Sequence, residues 1–425
     1  MRILSLALFG FLLSACATSY QKTALQSWDL MARGQGERAL VLYETEVTSE
    51  PDSLLRLMDE GILLRVLGRY EESNKKFLAA ADVIELAGYA LASEEIVGMI
   101  ANEKRSIYQG EDFEKVLIHA YMALNFIALK DWESALVAAR KVNEVLFIMM
   151  SEEARPYQWN SFAKYLTGVL YEQDREFNDA YISFKQIDEA EPDLVESFPA
   201  LKIDLLRGAL RMGFEEEIER FRKSFGKKVF DRARTSLAQN QASLVFLLET
   251  GKSPQKYSTE ESHESETESA SSLVLAVPRY RPRWSEIRSA KVSVAGQTLE
   301  TTSLNNIEET AIAHLNERMT RYIAKALLRA ATKVGIAAGV GALTKNEDLG
   351  ALAGLLMFAA SGADTRSWLL LPQKLQVARV FLPAGTHSLE IQYLDQDGES
   401  VSSESVDGLQ FQPNQIQFLQ RRTFL

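Results

Sequence analysis

The chain has one cysteine, Cys16, and four histidines, His119, His263, His314 and His387. A thiol can act as a nucleophile, a metal ligand or an attachment point for an acyl chain. The histidines fall in different parts of the chain, and no motif completes a catalytic set around them. There is no HExxH helix, no Gly-x-Ser-x-Gly elbow, no phosphate-binding glycine loop and no paired-cysteine metal site. His263 stands among Glu261, Glu264 and Glu266, but one histidine among solvated carboxylates makes a poor metal site. Paired carboxylates could serve glycoside hydrolysis after folding, yet 58 acidic residues single out no pair. Cys16 is better placed. Arg2 supplies one positive charge, Ile3 to Leu13 is mostly apolar, and Ser14-Ala15 provides small residues before the cysteine. These are the three regions of a secretory signal, with an apolar core far short of the roughly 20 residues that span a bilayer.

Leu13-Ser14-Ala15-Cys16 resembles the lipobox of bacterial lipoproteins. The resemblance implies cleavage before Cys16 and acylation of its sulfur, with several acyl chains giving stable membrane attachment. Ala17 follows, where an aspartate would be the usual signal for inner-membrane retention. The expected address is therefore the outer membrane, with the chain in the periplasm. Loss of residues 1–15 strips Arg2 and makes the formal net charge of −11 one unit more negative. An acidic chain offers no concentrated basic face for phosphates, which argues against a nucleic-acid partner. The length of 425 residues exceeds one hydrophobic core and predicts more than one domain.

Residues 16–236 read as helix after helix, with apolar positions near a 3.6-residue period. Gly168, Tyr171, Ala180, Phe184 and Pro192 in 161–194 resemble a tetratricopeptide repeat. So do Gly61, Leu64, Gly68, Tyr70, Phe77 and Ala80 in 54–87, where Ser73 replaces the usual small alanine. A third unit, 116–149, carries Ala123, Phe126, Trp132 and Ala135, and Gly36-Glu37-Arg38-Ala39 with Tyr43 looks like the second helix of a first unit. Small residues let helices approach, and an aromatic fills the groove beside them. Ser73, Ala135 and Ala180 are spaced more widely than tandem repeats of about 34 residues allow. Extra helices, or plainer helix hairpins, are therefore expected within the array. A last hairpin from Phe198 to Phe225 would cap it, and stacked pairs would offer a concave surface for protein partners.

Residues 237–425 change character and predict an α+β domain with an antiparallel sheet or sandwich. Ala242 to Leu248 and Leu273 to Val277 read as buried strands, the second stopped by Pro278. Between them, 258–272 is rich in Ser, Glu and Thr and reads as a flexible loop. Strands are expected at 290–295 and 298–302, then at 375–382, 388–394 and 416–424, with turns at Pro383-Ala384-Gly385 and Asp395–Gly398. A helical insert, 307–362, interrupts this region. Arg321, Lys325, Arg329 and Lys333 form a basic stripe at i+4 spacing, a candidate surface for an acidic partner or lipid headgroups. Beyond it, a glycine-rich hairpin at 334–362 has apolar runs too short to span a bilayer, and packing on the sheet accounts for it better than membrane insertion.

Asp364, Arg366 and Trp368 form a corner after the insert, in which Asp364 and Arg366 could pair with Trp368 packed beneath. Together with the lipobox, Asp112-Phe113-Glu114-Lys115 and Asp131-Trp132-Glu133-Ser134-Ala135-Leu136, this corner resembles an uncharacterised family of Gram-negative tetratricopeptide lipoproteins. The resemblance implies fold and address, not activity, and links the chain to cell-wall synthesis through neighbouring genes. The expected function is a non-enzymatic scaffold for an envelope complex, with no cofactor and no metal. The alternatives are a membrane-acting oligomer using 334–362 and a cell-wall enzyme.

Overall fold

The small and aromatic positions of the N-terminal half come together as five helix pairs. In the computed structural model, which describes residues 19–98, 107–152, 159–263, 273–319 and 363–424, α1 (Ser19–Ala32) pairs with α2 (Gly36–Glu46). Next come α3 (Ser53–Val66) with α4 (Tyr70–Gly98), then α5 (Asp112–Leu129) with α6 (Trp132–Glu152). The last pairs are α7 (Ser161–Gln173) with α8 (Phe177–Ala190) and α10 (Pro199–Met212) with α11 (Glu215–Ser236), linked by the short α9 (Pro192–Ser197). One left-handed residue closes each pair: Gly34, Gly68, Lys130, Arg175 and Gly213 have φ between 59° and 74°. That conformation reverses the chain while the last carbonyls of the first helix find partners.

Close approach explains the glycines at 61 and 168. A Cβ at Gly61 would lie 2.5 Å from the Phe77 ring, and one at Gly168 would lie 2.6 Å from Phe184. Ser73 keeps the packing of the usual alanine and adds a bond, its Oγ donating to the Gly61 carbonyl at 2.6 Å. The wide spacing of Ser73, Ala135 and Ala180 comes from long second helices. α4 has 29 residues and α6 has 21, against 14 in α1 and α3. Among the described residues, no additional helix lies between Ser73 and Ala180.

Among the described residues, the C-terminal half is α+β, with two four-stranded sheets and a ribbon. The strands are β1 (Gln241–Thr250), β2 (Gln255–His263), β3 (Leu273–Arg281), β4 (Ser289–Val294), β5 (Gln297–Glu300) and β6 (Thr302–Asn306). After the insert come β7 (Lys374–Pro383), β8 (Gly385–Leu394), β9 (Ser400–Phe411) and β10 (Ile416–Arg422). One sheet has the order β10-β1-β7-β6 and the other β5-β4-β8-β9. All pairings are antiparallel except β1 with β10, which are parallel. Leu244, Phe246, Leu248, Val380 and Leu382 face the second sheet and pack on Val292, Val294, Leu389 and Ile391. Their neighbours Val245, Leu247, Leu375 and Val377 face the other way, into the helical core. Strands buried on both faces read as continuous apolar runs, which is why Ala242 to Leu248 shows no alternation.

The expected boundary near 236 separates helices from strands but not one core from another. A single cluster of buried apolar residues runs from Tyr20 through Trp368 to Ile416. Three local expectations change. The Ser/Glu-rich loop is shorter than 258–272, because Ser258 to His263 pairs as strand with Leu273 to Pro278. Backbone hydrogen bonds hold this ribbon, so polar side chains do not prevent it. β3 also runs through Pro278, which a two-stranded ribbon tolerates because each strand keeps an unpaired edge. β9 and β6 were not expected. β9 carries Ser, Glu and Asp at exposed positions, and its alternation is weak. The insert begins as a helix over 307–319, while Arg321, Lys325, Arg329, Lys333 and the glycine-rich stretch 334–362 lie outside the described residues. Cys16 and the signal segment lie outside them too.

The packing at Gly168 has a measurable consequence. We predict that Gly168→Ala destabilises the protein by about 1–3 kcal/mol through overpacking against Phe184. Pairing it with Phe184→Leu should cost less than the two changes summed, as read by thermal or urea denaturation. Strict additivity would contradict the contact.

Candidate functional site

The inner face of the helix array is already occupied by the chain itself. An irregular strap, 363–373, leaves the insert and runs across the first helices of three pairs before entering β7. Its backbone is held by side chains. Glu114 on α5 accepts from the Trp368 N–H at 2.8 Å, Tyr20 on α1 accepts from Leu369 at 3.3 Å, and Asp59 on α3 accepts from Leu370 at 3.3 Å. Gln21 donates to the Thr365 carbonyl at 2.6 Å, and Tyr20 Oη lies 2.8 Å from the Ser367 carbonyl. The first helices thus do to the strap what a repeat array does to a bound peptide. They satisfy a non-regular backbone that would otherwise be buried without partners.

Two of the three corner residues form an ion pair, and the third sits elsewhere. Arg366 binds Asp364 through two nitrogens, at 2.9 and 2.7 Å, and reaches the Pro51 carbonyl at 2.9 Å. The ring under its guanidinium is Tyr108, at 5.5 Å, rather than Trp368. Trp368 instead lies among the helices, 6.1 Å from Phe77 and 5.9 Å from Tyr121. The reason is apolar burial: at 1% exposure among these rings the indole removes its large apolar surface from water, while the polar Asp364–Arg366 pair stays together.

A second set of contacts ties the sheet to the array, and no sequence motif marks it. Arg379 is fully buried on β7 and binds Asp204 at 2.9 Å and Glu172 at 2.8 Å. Arg207 also binds Glu172, at 2.6 Å. Arg65 on α3 bridges Glu249 of β1 at 3.1 Å and Asn125 at 2.9 Å, and Arg422 of β10 meets the same Glu249 at 3.2 Å. Lys256 binds Glu111 at 2.7 Å, with His314 at 3.2 Å from the other oxygen. Arg379 interrupts an apolar alternation at Leu375 to Leu382, and that interruption is the sequence signal for a buried pair. Such pairs gain little net stability against an apolar replacement, but removing one partner is costly.

Environment sets the charges of these acids. Burial pushes the Asp59 carboxyl up to about 7, against the hydrogen bonds from Tyr43 and Tyr20. Burial and the neighbouring Glu111 charge push Glu114 to about 7 as well. For Glu111 burial works upward too, but the Lys256 ammonium together with His314 and Arg318 outweighs it and brings the group down to about 2. Burial also lowers His119 to about 4, so it is neutral near pH 7. Among the described residues, no three His, Cys, Asp or Glu side chains stand together as metal ligands. The arrangement can clamp a segment of backbone.

The outer face is different. Val41 on α2, Leu78 and Leu86 on α4, Val137, Phe147 and Ile148 on α6, and Ile182 on α8 are exposed. All seven lie on second helices, and Phe147 is 74% exposed. Grooves border these helices. One of about 670 Å³ lies between α1 and α2, lined by Leu30, Arg33, Arg38 and Val41. Another, of about 980 Å³, runs beside α11 and β5, with Lys227, Lys228 and Arg232 on its wall.

The Asp59 clamp makes stability depend on pH. A carboxyl raised on folding stabilises fully below its ordinary value near 4, and that contribution is lost as pH rises through about 7. We predict that between pH 4 and pH 8 the native chain loses on the order of 3–4 kcal/mol relative to Asp59→Asn, measured by urea denaturation. Parallel pH profiles for the two would contradict the buried acid.

No protein-family model matches the chain, and no curated protein matches it. Three solved structures illustrate what it is similar to. One is MamA, residues 41 to the end, from Desulfovibrio magneticus RS-1, with 15% identity over 53% of this chain and 100% of that one, at TM-score 0.31. The apo form of RapI shares 14% identity over 50% of this chain and 54% of its own, at TM-score 0.36, so the chain spans about half of RapI. The TPR-like repeats of a putative kinesin light chain from Podosopora anserina share 12% identity over 52% of this chain and 100% of theirs, at TM-score 0.33.

Proposed function

We propose that the chain is an acylated outer-membrane lipoprotein that docks protein partners on its second helices and so serves as a scaffold for an envelope complex. The observation that carries this reading is the distribution of exposed apolar side chains. Seven of the twelve exposed large apolar side chains among the described residues lie on second helices and one, Met212, on a first helix, while the first helices are engaged with the strap and the sheet. Contiguous exposed apolar surface marks interaction sites, and of these side chains Phe147 and Ile182 line one groove. The lipobox-like Leu13-Ser14-Ala15-Cys16 supports the tether. No helix among the described residues is long and apolar enough to cross a membrane, and in this reading the acyl chains on Cys16 make the attachment. The link to cell-wall synthesis rests on family resemblance alone.

Two measurements test the reading. A photocrosslinking residue at Val41, Val137 or Phe147 should trap a discrete envelope protein in living cells, whereas one at exposed Ser403 on β9 should not. Equal adducts at all four positions, or none, would defeat the docking surface. Separately, Cys16→Ser should abolish incorporation of labelled palmitate and move the protein from membrane to soluble periplasm; unchanged fractionation would defeat the tether.

A further inference from the structure

Lys164 is a buried cation with no carboxylate. Its side chain belongs to a residue only 8% exposed, and Nζ donates to Asn143 Oδ1 at 2.6 Å. Among the described residues it forms no ion pair. The other buried lysines and arginines do: Arg65 with Glu249 at 3.1 Å, Arg207 with Glu172 at 2.6 Å and Lys256 with Glu111 at 2.7 Å. Arg366 pairs with Asp364 at 2.7 Å and Arg379 with Glu172 at 2.8 Å. Lys164 also sits one turn into α7, near the positive end of the helix dipole, where a cation is disfavoured. Burial brings its ammonium down to about 8. A position so unfavourable for a cation asks for an anion that the described residues do not supply.

The surroundings describe that anion. Lys164 lines an open groove of about 650 Å³ among α6, α7 and α8, within the usual range of ligand clefts. Its walls are Leu146, Phe147, Trp159, Tyr171 and Ile182, and Phe147 and Ile182 are among the exposed residues of the outer face. Gln186 also lines it, and its Oε1 has no hydrogen-bond partner. Asp179 and Glu189 stand on the same lining, neither paired with Lys164. The apolar part of the lining, with Phe147 and Ile182, offers a bare inorganic anion nothing to bury and favours a ligand that carries an apolar group. The unpartnered amide oxygen calls for an N–H donor, which a fatty acid lacks. The two lining carboxylates disfavour a second negative charge.

We propose that this groove binds a short peptide segment of a partner protein, seating one Asp or Glu carboxylate on Lys164 with an adjacent apolar side chain between Phe147 and Ile182. The proposal rests on the scaffold reading above and gives that docking face a chemical specificity.

The test uses the full folded chain and a set of labelled, acetylated and amidated hexapeptides. Each peptide places one Glu beside Leu, Ile, Phe or Trp, and each has a Gln counterpart. By fluorescence anisotropy, at least one Glu peptide should bind at least tenfold more tightly than its Gln counterpart. Binding should be lost in Lys164→Met and weaken as pH rises from 7 to 9. Lys164→Met should also melt at a higher temperature than the native chain, since it removes an uncompensated buried charge. Equal binding of Glu and Gln peptides, no binding by any peptide, or full binding by Lys164→Met would overturn the proposal. So would a markedly lower melting temperature for Lys164→Met, which would make the lysine structural. Octanoate binding as tightly as the best peptide would replace a peptide ligand by a lipid one. If the peptides fail while Phe147 still crosslinks an envelope protein, the scaffold reading stands and only this specificity falls.

Discussion

Three successive backbone N–H groups, those of Trp368, Leu369 and Leu370, end on Glu114, Tyr20 and Asp59. The acceptors come from the first helices of three different pairs, so one strap fixes the relative placement of all three. Unmet, each donor would cost the desolvation of a buried amide. Met in this way, they bind helices that are distant in sequence to a segment near the C-terminus. The inner surface of the array is consequently a core. Its helices and the sheet share one apolar cluster, and neither half has a complete interior alone.

The charges follow the same division. The chain is strongly acidic overall, yet its buried cations are met individually by acids that cross between helices and strands. Arg379 to Asp204 and Glu172, Arg65 to Glu249, and Lys256 to Glu111 are each a pin at one register. A slipped strand would strand two charges at once, which penalises wrong packings more than it stabilises the right one. Asp59 and Glu114 are the exceptions in being held near neutrality, because their partners are hydroxyl and amide groups rather than cations. Lys164 is the exception on the outer face. It lines a groove among α6, α7 and α8 and forms no ion pair among the described residues.

Much of the fold was legible because its signals are local. Gly61 with Phe77 and Gly168 with Phe184 announce helix pairs, since only a missing Cβ admits that ring. Ala242 to Leu248 announces a strand buried on both faces. β9 was missed because a strand exposed along much of one side carries Ser and Glu like a loop, and its backbone pairing leaves no mark on composition. The strap was the larger miss. Asp364, Arg366 and Trp368 stood out as a corner, but their real partners, Pro51, Tyr108, Phe77 and Tyr121, lie hundreds of residues away. Side chains that satisfy a distant backbone have no periodicity to betray them. A concave surface free for partners was the natural expectation from repeats, and only the tertiary structure shows it filled.

In the proposed reading, this filling moves recognition to the second helices, where apolar side chains remain in water, and leaves the first helices to hold the molecule together. The account therefore stands or falls on the strap. Native-state hydrogen exchange, resolved to single amides, tests it most directly. Trp368, Leu369 and Leu370 should exchange as slowly as the central amides of β1, through global unfolding only, although they belong to no helix or strand. Exchange of these three amides at the rate of an open loop would show that the strap leaves the inner face, and would return that face to partner binding.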